Sequence, residues 1–135
     1  MGPFIQKTNN MEKEFIEYSE ALALKELGFD EPCVAFYEQS KRLSIGFNWL
    51  NEGGKNSNLQ ECTAPLYQQA FRWFRENHFI YPSIIQLRGW VNSYKIIKWD
   101  SSCDATTVYD SNNYGTYEEA ELECLKKLIE IVKIK

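Results

Sequence analysis

Along this chain the hydrophobic period switches repeatedly between about 3.6 residues and 2, and the links inside each period-2 pair are very short. Ser40-Lys41-Arg42 separates Cys33–Gln39 from Leu43–Trp49, and Arg88-Gly89 separates Tyr81–Leu87 from Trp90–Trp99. A parallel crossover needs roughly a dozen residues or more, so both pairs read as antiparallel hairpins. Thr107–Tyr109 offers a short fifth strand, with Cys103–Thr106 as the loop before it. The order is α-β-β-α-β-β-(β)-α. The expectation is an α+β domain in which three helices pack on an antiparallel sheet of four to five strands.

The helices are read from their ends. Ser19 is placed to cap a first helix over Glu20–Leu27, and Gly28 suits the left-handed position that ends it. Phe29 would then fold back on Leu24. Thr63 is placed to cap a second helix running to Asn77, with Pro65 tolerated in its first turn. Leu66, Tyr67, Ala70, Phe71, Trp73 and Phe74 form its apolar face. Thr116 and Glu119 make a capping box for the last helix, whose acids precede its lysines in the sense of the helix dipole. Leu122, Leu125, Leu128, Ile129 and Val132 supply its buried stripe, and Glu123 with Lys127 an i,i+4 ion pair.

At 135 residues the chain fits one domain, taken as 11–135, able to bury a core without metal or crosslink. Residues 1–10 are polar and precede a second methionine, Met11, and read as a disordered leader or an artificial extension. Residues 51–61 read as a flexible loop. No apolar run reaches the ~18 residues of a membrane span, and the N-terminus lacks signal-peptide features, so the expected setting is cytoplasmic. Cys33, Cys62, Cys103 and Cys124 form no CxxC pair and no zinc spacing, and read as free buried thiols.

The net charge of −4 is unevenly spread. Residues 62–99 carry five bases (Arg72, Arg75, Arg88, Lys95, Lys98) against one acid, Glu76. An acidic whole repels a phosphate backbone, while a basic middle keeps a local anion site open.

Catalytic signals are sparse. His78 is the only histidine, and at a helix C-terminus it is explained more readily by the dipole than by acid–base work, for which no orienting partner can be placed. Asp100, Asp104 and Asp110 match no calcium loop and read as turn residues, and no metal or cofactor is expected. Gly53-Gly54-Lys55 lacks the rest of a phosphate loop. The informative excess is aromatic: eight Phe, eight Tyr and four Trp, more than a core needs. On the last strand of the second hairpin, Trp90, Asn92, Tyr94, Ile96 and Lys98 share one face and Val91, Ser93, Lys95, Ile97 and Trp99 the other, and neither face is plainly dry.

The segments EALALKELGFDEPC (Glu20–Cys33), TAPLYQQAFRWFRE (Thr63–Glu76) and YEEAELECLKKLIEIV (Tyr117–Val132) together resemble a family of small uncharacterised proteins encoded by bacteriophages and prophages. The layout is also similar to the small phage domain described as an α-β-α sandwich. The resemblance brings no catalytic residues. It implies a bacterial host cytoplasm and a phage or host protein as partner.

The functional expectation is therefore a non-enzymatic binding protein, most concretely an inhibitor of a host-defence protein such as a nuclease effector. Its contact residues would be Trp90, Tyr94, Lys95, Lys98 and Trp99 on the hairpin, with Glu119 and Glu123 on the last helix presenting carboxylates where phosphates would lie. The alternatives are single-stranded nucleic-acid or nucleotide binding through Arg72, Arg75 and Arg88 with stacking tryptophans, and a small hydrolase using His78.

Overall fold

A computed structural model describes residues 13–46, 54–56, 61–87, 91–99, 102, 104–109 and 113–134. The leader 1–10 therefore lies outside the described residues. The chain gathers into two compact units, Met1–Tyr67 and Gln68–Lys135. All of the net negative charge belongs to the first, which carries ten acids and six bases; the second carries nine of each.

In the first unit, α1 (Tyr18–Glu26) is followed by β1 (Ala35–Tyr37), β2 (Leu43–Ile45) and β3 (Cys62–Thr63). They form an antiparallel sheet in the order β2-β1-β3. The end of α1 follows the sequence rule in full. Gly28 sits at φ 101, its N–H donates to Lys25 O at 3.0 Å, and Phe29 N–H donates to Leu24 O at 3.0 Å. Phe29 and Leu24 are both buried.

The start of α1 does not. Its N-cap is Glu17, with no side-chain cap, and Ser19 lies inside the first turn with Oγ donating to Glu20 Oε1 at 2.9 Å. Tertiary contacts fix that start. The Tyr18 hydroxyl donates to Glu61 Oε2 at 3.0 Å, and its ring meets Tyr37 edge-on at 5.4 Å.

Thr63 also departs from expectation. It caps no helix but pairs with Phe36 across β3 and β1. The stretch 51–61, read as flexible, contains a fixed point. Asn56 is buried, its Nδ2 donates to Phe29 O at 2.7 Å, and its Oδ1 accepts from Thr63 N–H at 2.8 Å. Gly54, at φ 54, offers its carbonyl to Cys33 N–H at 2.8 Å, and β1 begins only at Ala35 rather than at Cys33. On β2, Ile45 is exposed, so the alternation there leaves no dry face; Phe47 and Trp49 lie outside the described residues.

α2 (Tyr67–His78) leads into the second unit, with β4 (Ile80–Leu87), β5 (Val91–Trp99), β6 (Ala105–Tyr109) and α3 (Tyr117–Ile134). The second sheet is antiparallel in the order β4-β5-β6. The class is α+β as expected. The strands number six rather than four to five among the described residues, in two sheets of three, because Cys62–Thr63 joins the first hairpin; β6 also takes in Ala105 and Thr106, which were expected in the loop before it.

α2 buries Tyr67, Ala70, Phe71, Trp73 and Phe74, while Leu66, just before it and bridged to Phe15, stays exposed. α3 begins on its cap, Glu119 N–H donating to Thr116 Oγ1 at 3.1 Å, and packs on β4 and β5. It buries Ala120, Cys124, Leu125, Leu128 and Ile129, and Glu121 as well. Its ion pairs are i,i+3 rather than the expected i,i+4: Glu123–Lys126 and Lys127–Glu130, both at 3.3 Å. Both spacings are adjacent on a helix surface, so Lys127 is free to reach forward instead of back.

Candidate interaction surface

The register of the second sheet sorts its residues by face. Ile80, Pro82, Ile84 and Gln86 of β4 lie opposite Lys98, Ile96, Tyr94 and Asn92 of β5. Asn92, Tyr94 and Ile96 are buried, so this face is dry at its centre, contrary to the expectation that both faces are mixed. Tyr94 stacks on Tyr114 with ring centroids 6.5 Å apart, and Asn92 accepts Tyr114 N–H on its carbonyl at 2.8 Å. The chain beyond β6 is thereby tied back to β5.

The other face is open. Tyr81, Ser83 and Ile85 of β4 lie opposite Ile97, Lys95 and Ser93 of β5, and Thr107 and Ala105 of β6 lie opposite Ile97 and Trp99. Tyr81, Ser83, Ala105, Thr107 and Trp99 are exposed; Ile85, Ser93, Lys95 and Ile97 are half-buried. Among these described residues there is one lysine and no carboxylate, in a chain with 19 acids.

Phe79 finishes the corner of this face. It is the single residue between α2 and β4. Reversing from helix to strand in one residue demands a left-handed backbone, and Phe79 stands at φ 54. Its carbonyl accepts Trp99 N–H at 3.2 Å, which extends the β4–β5 ladder by one position. Phe79, Tyr81 and Trp99 are 61%, 37% and 46% exposed. Strands spaced by ~4.8 Å, with same-face residues ~6.8 Å apart along each, bring Tyr81, Ile97 and Trp99 into one small cluster.

The residues singled out in the sequence do not all share this surface. Lys95 and Trp99 occupy the open face. Tyr94 and Lys98 belong to the opposite one, and burial removes Tyr94 from any contact with a partner. Trp90 and Arg88 lie outside the described residues. Glu119 and Glu123 are on α3, where Glu123 is paired with Lys126. Arg72 is exposed on α2 and reaches Glu76 at 3.8 Å; Arg75 is half-buried. The sequence reading missed Phe79 and Tyr81. Tyr81 was recoverable from the hairpin register, whereas nothing local marks Phe79 as left-handed.

His78, the last residue of α2, lies edge-on to Trp73 at 5.0 Å and tilted to Phe74 at 6.0 Å. The described cysteines, Cys33, Cys62 and Cys124, are all buried, and Cys33 Sγ donates to Glu31 O at 3.5 Å. Burial pushes the Cys62 thiol up to about 11, against a smaller opposing pull from Lys25, and the Cys124 thiol up to about 12. Thiols so protonated at neutral pH are poor nucleophiles. Asp104 is exposed, Asp100 and Asp110 lie outside the described residues, and no group of three His, Cys, Asp or Glu among the described residues is placed to hold a metal ion. Among the described residues no helix is long and apolar enough to cross a membrane. No protein-family model matches this chain, and neither does any curated protein or solved structure.

Proposed function

We propose that this chain is a non-enzymatic binding protein whose partner is another protein, held at the corner formed by Phe79, Tyr81 and Trp99. The observation that supports this most is Phe79 itself. A bulky aromatic stands in the left-handed region, where a non-glycine residue carries strain of order 1 kcal/mol or more. It is also largely exposed, so burial does not repay that strain. A ring kept in that state has a use outside the fold.

The adjoining face adds the composition of an interface centre: aromatic rings and isoleucines, with charge depleted. Tryptophan and tyrosine are the residues that most often dominate binding energy. The finer version, an inhibitor of a bacterial host-defence protein, rests on the resemblance to phage-encoded proteins. It draws on this corner rather than on Glu119 and Glu123 of α3, of which Glu123 pairs with Lys126. Single-stranded nucleic acid is the weaker reading, because the open face offers one lysine among its described residues.

The test is photo-crosslinking in the cells that make the protein, with a photoreactive amino acid at position 81 or 99 and a control at Glu119. One protein captured from both corner positions and not from the control is the expected result. Capture of nucleic acid, or of nothing beyond the control, overturns the proposal.

A further inference from the structure

We propose that the partner sets an aspartate or glutamate carboxylate against Lys95 as it covers the open face, about 13 Å from the apolar group it seats beside Trp99. The inference rests on the reading that the open face binds a protein, and names the chemistry that protein brings.

Lys95 stands in β5, the middle strand of the second sheet. Ser83 of β4 lies opposite it on one side and Tyr109 of β6 on the other. Ser93 and Ile97 are its neighbours along the same face, and Trp99 is one step of ~6.8 Å beyond Ile97. Lys95 is half-buried. Among the described residues its ammonium has neither an ion pair nor a hydrogen-bond partner. Arg72, Lys126 and Lys127, by contrast, each reach a carboxylate on their own helix.

Solvent hydrates such an ammonium while the face is open. A partner seated on Tyr81, Ile97 and Trp99 reaches Lys95 next, because it follows Ile97 on that face, and displaces this hydration. A covered cation with no counter-charge is strongly destabilising, and the described residues of the face include no carboxylate to supply one. The counter-charge therefore comes with the partner. It also fixes the partner's register and rejects proteins with a lysine or arginine at that point. A two-fold dimer through this face presents the same face to itself, and so brings lysine and no carboxylate from these residues. Nucleic acid brings a charge with every nucleotide to a chain of net charge −4 whose open face has one described lysine. One carboxylate among apolar groups matches one lysine among apolar groups.

The test uses the full chain in the cells that make it, with the photoreactive amino acid at position 81, and then a water-soluble carbodiimide on the captured complex. Carbodiimide joins an amine directly to a carboxylate in contact with it. The expected result is an isopeptide bond between Lys95 and an aspartate or glutamate of the captured protein, located by peptide mass mapping. Lys95→Met should reduce capture from position 81 roughly tenfold, and Lys95→Arg should retain it. Lys98→Met, on the other face of the same strand, should leave capture unchanged. Urea midpoints of the three variants, expected within the range of a surface change, separate a lost contact from a lost fold. Undiminished capture by Lys95→Met, a loss that Lys95→Arg shares, or a Lys95 joined to nothing in the captured protein overturns the carboxylate contact and leaves the protein-binding reading standing. Capture abolished by nuclease, or no capture from position 81, overturns both.

Discussion

The backbone N–H of Trp99 donates to the carbonyl of Phe79 at 3.2 Å, so the most exposed aromatic of the corner is pinned to the tryptophan beside it through main chain alone. Side-chain changes at Phe79 therefore leave the ladder intact. Glycine adopts φ 54 without a Cβ penalty and is the usual residue just past a helix end. Phe79→Gly is expected to stabilise the chain by about 1 kcal/mol, as relief of strain exceeds the entropy cost of glycine and the little burial lost. The same variant should lose the partner. A raised urea midpoint with weakened crosslinking from position 99 is the expected pair of results; a lowered midpoint would show that Phe79 serves the fold.

Trp99→Ala separates the other side of that contact. The side chain is half-exposed at the end of β5, so truncation should change stability by less than about 1 kcal/mol while removing a ring of the type that commonly contributes 2 kcal/mol or more to binding. Chemical denaturation and crosslinking from position 81, measured on the same variant, compare the two effects.

Thr63 carries a different kind of cost. Its hydroxyl is fully buried and has no hydrogen-bond partner among the described residues, although its backbone N–H is satisfied by Asn56. Valine has nearly the same shape and no hydroxyl to desolvate. Thr63→Val is expected to stabilise the fold by about 1 kcal/mol, read as a shift in urea midpoint at unchanged slope.

Asn56→Ala should act in the opposite direction and more strongly. Two hydrogen bonds vanish, and the Phe29 carbonyl and Thr63 N–H are left without the partners they have now. The expected loss is about 2–4 kcal/mol. An effect below 0.5 kcal/mol, the range of an ordinary surface change, would mean that water replaces the amide at no cost.

These sites mark how far the sequence could be read. Gly28 and Thr116 were legible because their caps are local: the residues that satisfy one another lie within five positions. The antiparallel pairings were legible because the links are short. Thr63 was misread because threonine before a proline-led helix and threonine in a strand look alike along the chain, and only its pairing with Phe36, 27 positions earlier, decides between them. Asn56 has no local signature at all; its partners are a carbonyl 27 residues before it and an N–H seven after. Period-2 alternation separated the faces of β5 but not which of them α3 covers, and so Tyr94 and Trp99 were grouped in one site.

The buried thiols give the alkaline limit of the fold. An unfolded cysteine titrates near 8.5, whereas burial holds Cys62 up to about 11 and Cys124 up to about 12, the latter helped by the carboxylate of Glu121. Between these values the unfolded chain has released protons that the folded chain retains. Stability is therefore at its full value below about pH 8 and falls as pH rises toward 11, by at most about 1.4 kcal/mol per pH unit for each thiol. Tyr18, raised first by its hydrogen bond to Glu61, and Tyr117, raised first by burial, act in the same direction at higher pH. Urea denaturation at intervals from pH 7 to 11 should show this fall, and a Cys62→Ala/Cys124→Ala variant should flatten it by the thiols' share. At pH 8 in the absence of urea, iodoacetamide followed by peptide mass mapping should leave Cys62 and Cys124 unmodified, and both should alkylate once urea unfolds the chain. Rapid native alkylation at either would mean that its thiol is neither buried nor held protonated, and the alkaline loss of stability would then have another source.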